Sequence, residues 1–188
     1  MIVLAIITAV LVVGGDRLFN NNNQMRSTVR QLAVITRQIR NVARLQGTTS
    51  RLVIRMDDEK GHSFWVESAP GHVLLLTENQ EEELKRFTDL QREDMEKKAK
   101  FELEPKVLKS PVKLPRGLFF ESVEYAARQK AITEGTSYIH FFPSGLSENA
   151  VIHMTDRKNL NWTIAINPLT GQAEVFERKV SLKELNAP

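Results

Sequence analysis

Four histidines, His62, His72, His140 and His153, are the side chains best suited to metal ligation or proton transfer. A zinc ion needs three or four ligands, and no third ligand stands at a useful spacing from any two of them. His140 and His153 form the most suggestive pair. If "SYIHFFP" and "AVIHM" pair as strands across "SGLSEN", the two imidazoles face each other. Two imidazoles alone hold no zinc, so both read as strand histidines, with His62 beside a turn and His72 in a loop next to Gly71. The run Asp57-Asp58-Glu59 in "MDDEKG" lacks the alternating oxygen ligands of a calcium loop and reads as a solvated turn. No Gly-rich phosphate loop, Gly-x-Ser-x-Gly or His-Glu-x-x-His is present. No cysteine is present either, which removes disulfides, thiolate metal sites and thiol nucleophiles together. The sequence therefore nominates no catalytic, metal or cofactor residue, and the expectation is a protein that is not an enzyme.

The chemistry on offer is electrostatic. At about 100° per residue, Arg26, Arg30, Arg37, Arg40 and Arg44 fall within an arc of about 80° on one side of a helix. They are candidate anion contacts for lipid headgroups or nucleic acid, with Arg178, Lys179 and Lys183 as a second basic set. A net charge of +3 and the acidic stretch at 81–96 weigh against strong polyanion binding.

The arginines sit on a segment without proline or internal glycine from Asp16 to Gly47. Opposite them, Met25, Val29, Leu32, Ile35, Ile39 and Val42 span an arc of about 140°. This is an amphipathic helix whose apolar stripe must pack on something, with Gly47 at its stop. The run Asn20 to Asn23 is a weak helix former and a place where the rod would bend or loosen. Ahead of it, Met1 to Val13 carries no charge. Spanning a bilayer takes about 20 apolar residues, so this run resembles the second half of a membrane helix. Lipid or neighbouring helices are the two ways to cover it. Ile2, Val3, Leu4, Ile6, Ile7, Val10, Leu11 and Val12 are the expected membrane and helix-assembly contacts, and the six residues of the later stripe the expected helix-to-sheet contacts.

After Gly47 the period changes from 3.6 to 2. "RLVIRM" and "HSFWVES" form a hairpin over "DDEKG". "KLPRGLFFESVEYAA", "TSYIHFFPSG", "NAVIHMTD", "LNWTIAINPLTG" and "QAEVFERKV" follow as further strands, with turns at Pro143-Ser144-Gly145 and Pro168-Leu169-Thr170-Gly171. Six to eight strands in succession predict antiparallel sheet and an α+β class. Adjacent aromatics such as Phe64-Trp65 and Phe141-Phe142 point to opposite sheet faces, which favours a second β layer or an assembly surface. The charged insertion 78–100 reads as a weakly amphipathic helix or a mobile segment, the short helix being preferred because mixed-sign spacing supports exposed helical faces. Hydrophobic content of 41% over 188 residues fits one globular domain plus a membrane segment. The expected divisions are a membrane-inserted part at 1–15, an amphipathic part at 16–47, a β-rich domain at 48–180 and a loosely held tail at 181–188.

An apolar N-terminal helix that continues into an amphipathic one ahead of an antiparallel sheet resembles type IV pilin-like proteins. "FFPSGLSENAVIHM", followed by "WTIAINPLTGQAEV", is similar to the C-terminal region of H-type minor pseudopilins of type II secretion. The matching positions are Phe141 or Phe142, Pro143 and Gly145, then Thr170 and Gly171. The resemblance implies a pilin-like fold and a structural subunit of a secretion pseudopilus. It further implies a single-pass inner-membrane anchor, a periplasmic β-domain, and other pseudopilins and membrane lipid as partners. The family's leader, cleavage glycine, methylated aromatic residue and glutamate have no counterpart here, so the chain is expected to begin at an internal methionine of a longer, processed and methylated protein. The second reading is a minor type IV pilin that binds DNA or aids pilus assembly; only there is nucleic acid a partner. A third is an anchored periplasmic enzyme.

Overall fold

A computed structural model describes residues 2–71, 100–127 and 130–185, and of residues 2–20 the backbone alone. Helix α1 (Ile2–Gln46) runs unbroken through the asparagine run. Its stop is Gly47 at φ 63°, a conformation glycine adopts without the Cβ penalty. From there the chain reverses into β1 (Thr48–Met56) and β2 (Ser63–Pro70), the expected hairpin, with register from Thr48 opposite Pro70 to Arg55 opposite Ser63. Two short strands, β3 (Glu102–Leu103) and β4 (Val112–Lys113), pair side by side on β2. The remainder is β5 (Phe119–Tyr125), β6 (Gly135–Phe141), β7 (Ala150–Thr155), β8 (Asn161–Ile166), β9 (Ala173–Phe176) and a final helical turn, α2 (Leu182–Leu185). Strands β3 and β4 are too short for a period to announce them. The expected helix at 78–100 lies, apart from Lys100, outside the described residues, as does His72.

Among the described residues the strands pair antiparallel, with one isolated parallel bridge between Thr48 and Gly71, and form two sheets: a five-stranded one in the order β3-β2-β1-β6, with β4 also on β2, and a four-stranded one in the order β5-β7-β8-β9. This corrects the idea that His140 and His153 face each other. Strand β6 pairs with β1, and β7 pairs with β5 and β8, so the two histidines belong to different sheets. The sheets meet at a stitched seam. Ile132 and Val123 exchange backbone hydrogen bonds of 2.8 and 2.9 Å, closing the free edge of β5. The Tyr125 hydroxyl donates to the Tyr138 carbonyl at 2.9 Å and meets the Ser137 hydroxyl.

Helix α1 packs on both sheets. Met25, Val29, Leu32, Ile35 and Ile39 are buried, while Val42 is half-buried and Ala43 fully so. Against them lie Leu52, Ile54, Phe64, Val66, Ile139 and Phe141 of the first sheet and Phe120, Val123, Ile152, Met154 and Ile164 of the second. Each fully buried aliphatic or aromatic side chain contributes roughly 1.5–3 kcal/mol. A β-bulge between Phe120 and Ser122 sets Glu121 out of register and keeps Phe120 on the core side. Trp65 and Phe142, partners of the buried Phe64 and Phe141, are half-buried on the far faces. All six residues of β7 are buried because the C-terminal segment, with Val180 1% exposed, covers the outer face of its sheet. Of the tail expected to be loosely held, 181–188, Leu182 is tied to the sheet by its N–H on Glu124, and the turn Leu182–Leu185 has no buried residue. Among the described residues no helix is long and apolar enough to cross a membrane.

Candidate functional site

Helix α1 carries most of the nominated residues. Its apolar positions Ile2, Val3, Leu4, Ile6, Ile7, Val10, Leu11 and Val12 lie in the first turns, where the side chains are outside the described residues. The five arginines divide into two groups. Arg26 pairs with Glu177 at 3.1 Å and lies 5.9 Å from the Trp162 ring. Arg40 donates through Nε to the Gly145 carbonyl at 2.8 Å, and the stems of Arg44 and Arg40 fill the space a Cβ would take at Gly145 and Gly171. The glycines of the Pro143–Gly145 and Pro168–Gly171 turns thus admit helix arginines, and φ of 87° and 60° fixes glycine at both. Arg30 and Arg37, by contrast, are exposed to solvent. Of the tail set, Lys179 meets Glu121 at 2.6 Å and Arg178 meets Glu184 at 2.8 Å.

The described histidines serve as joints. His62 is buried and ties the sheets together: its Nδ1 accepts the Phe120 backbone N–H at 3.2 Å and its Nε2 faces Asp58 Oδ1 at 3.0 Å. The neutral ring protonated on Nε2 satisfies both. Asp58 also receives Arg157 at 2.5 Å, and Arg157 lies 3.9 Å over Phe119 in a left-handed backbone at φ 58°. The hydrogen bonds from His62 and then Arg157 hold the Asp58 carboxyl below the usual carboxylate range. Asp57 is likewise lowered, first by the Lys60 backbone N–H. These groups border an open cleft of about 910 Å³ that Glu121 and Glu134 also line.

Glu124, His153 and Thr163 follow the carboxylate–imidazole–hydroxyl order of a hydrolytic triad, yet their bonds assign them another task. His153 Nε2 lies 3.0 Å from Glu124 Oε1, and Nδ1 lies 3.2 Å from Thr163 Oγ1. Thr163 donates its proton to the Arg178 carbonyl at 2.7 Å and accepts the Val180 N–H at 3.0 Å. Glu124 Oε2 accepts the Leu182 N–H at 2.9 Å. The two imidazole nitrogens thus join Glu124 to Thr163. Thr163 is fully buried with its proton committed, so the network binds the C-terminal segment to the sheet and leaves no free nucleophile. The network is not legible in the sequence, because the register that sets His153 opposite Thr163 belongs to the folded sheet.

His140 pairs with Glu148 at 2.8 Å on the outer face of the first sheet. Nearby, Arg51 bonds Glu67 at 2.6 Å and is stacked between Phe101 and Tyr138, while Arg55 covers Trp65. Among the described residues, no group of three His, Cys, Asp or Glu side chains is placed to hold a metal ion.

No protein-family model and no curated protein sequence matches the chain. Solved structures do. Two structures of the minor pseudopilin EpsH from the type II secretion system of Vibrio cholerae superpose on it. One has a TM-score of 0.51 at 12% identity and covers 85% of this chain and 97% of its own. The other has a TM-score of 0.52 at 11% identity and covers 84% and 99%. The fold, a helix packed on antiparallel sheets, is therefore pilin-like and shared with an H-type minor pseudopilin.

Proposed function

We propose that this chain is a minor pseudopilin, a structural subunit of a bacterial type II secretion pseudopilus that supports protein export across the outer membrane. The observation that carries the reading is the division of α1. Residues from Met25 onward bury a continuous stripe on both sheets, and the same 45-residue helix extends ahead of them through the apolar run Ile2–Val13. A helix of that length is about 68 Å long, so its first part extends beyond the domain that holds the second. An apolar extension needs lipid or other helices around it. On this reading the N-terminal part is anchored in the inner membrane and packs against other pseudopilins, the β-domain is periplasmic, and the role is assembly rather than catalysis.

Intact-mass analysis of the protein purified from native membranes tests processing. The reading predicts a chain cleaved ahead of an N-methylated residue upstream of Met1. A mass that begins at Met1 contradicts it.

A further inference from the structure

The outer side of α1 and the irregular crossover at 105–117 lie alongside each other, and neither contributes an acidic residue. From residue 17 to 56, and again from 105 to 117, the chain contains no Asp or Glu. Arg30 and Arg37 on the helix and Lys106, Lys109, Lys113 and Arg116 on the crossover are all exposed. Among the described residues none of the six is in an ion pair.

Between the two elements runs a trough. Its wider part, about 400 Å³, has Val34, Ile35, Val107 and Leu108 on its walls, and Val34 is 56% exposed. A second, smaller hollow of about 190 Å³ adjoins it on the Gln24 and Leu114 side, and Gln31 lines both. From Gln24 to Gln38 the trough is about 21 Å long at 1.5 Å per residue, the length of a four-turn helix. Arg30, Val34 and Arg37 stand at i, i+4 and i+7, so the two arginines edge the same side as the exposed valine.

We propose that this trough takes an acidic amphipathic helix of a partner protein. Its aliphatic side chains would sit on Val34, Ile35, Val107 and Leu108, and its carboxylates against Arg30, Arg37, Lys106 and Lys109. An apolar floor with a charged rim is the helix-in-groove mode of recognition. A nucleic-acid strand is a poorer fit, because such sites stack bases on exposed aromatic rings. Among the described residues the sole aromatic one lining the trough, Phe64, is fully buried. The proposal stands independently of filament assembly, which uses the other end of α1.

The test is fluorescence anisotropy of the full-length chain in zwitterionic nanodiscs, with empty nanodiscs as control. The probe is a labelled helical peptide of about 15 residues, with leucines on one face and glutamates elsewhere. Expected are micromolar binding, weakening by about tenfold between low and moderate salt, and a loss of about tenfold or more in both V34D and the R30E/K109E pair at unchanged melting temperature. A lysine-for-glutamate peptide should not bind. Absence of binding overturns the proposal, as does equal binding by the variants. Competition by oligothymidine or by anionic vesicles that vanishes in R30E/K109E would make this a phosphate site and overturns it too.

Discussion

His153 shows how much one buried side chain can organise. It sits 1% exposed between Glu124 and Thr163, and through them it fixes the Arg178 carbonyl and the Val180 and Leu182 N–H groups. Replacing it with alanine leaves Glu124 and the buried Thr163 hydroxyl without their shared partner, which costs about 2–3 kcal/mol. His153→Ala should lower the urea midpoint accordingly and open the 178–185 segment to protease, with His153→Gln intermediate because it restores one donor. Asp58 makes a different prediction, in pH. Its carboxyl is lowered in the folded chain, so its contribution is present above the unfolded value, about 3.9, and is lost as pH falls through the lower folded value. Thermal melts from pH 6 to 3 should show the stability advantage over Asp58→Asn shrinking only at the acid end. A constant difference across that range would remove Asp58 as the anchor of the His62–Arg157 joint.

At the scale of elements, the turns that receive α1 are as specific as the helix itself. A Cβ at Gly171 would stand 2.6 Å from Arg40 Cδ, and Arg40 is held by its bond to Gly145. Gly171→Ala should therefore cost more than the roughly 1 kcal/mol of a left-handed residue alone. The excess should fall in an Arg40→Ala background, measured as a double-mutant cycle of chemical denaturation. These contacts also mark where sequence reading stops. The stripe from Met25 to Ile39 was legible because a 3.6 period is a local property, and the β1–β2 hairpin because its turn is short. The drift from Val42 to Ala43 depends on how the last helical turn meets β1. The engagement of Arg40 and Arg44 depends on glycines more than 100 residues away, and no local pattern brings them together. The split of β6 and β7 into separate sheets is likewise long-range, as is the tether that buries both faces of β7. The pairing of His153 with Thr163 rests on the register of β7 with β8, and the carboxylate that joins them comes from β5.

The whole molecule is a rod with a two-sheet domain wrapped on one end, the fold of the minor pseudopilin EpsH at an identity too low to carry more than fold. On the two proposals made above, labour divides along α1: the first turns for assembly, the buried stripe for the domain, and the outer trough for an acidic partner. The central claim is that the first turns pack against other subunits of like kind. It is tested most directly by placing a photo-crosslinking amino acid at Leu11 and illuminating living cells. Adducts to other pilin-like subunits, identified by mass spectrometry, are expected from Leu11, and none of these from the same probe at exposed Leu169. Adducts to lipid alone, or none from Leu11, would contradict it.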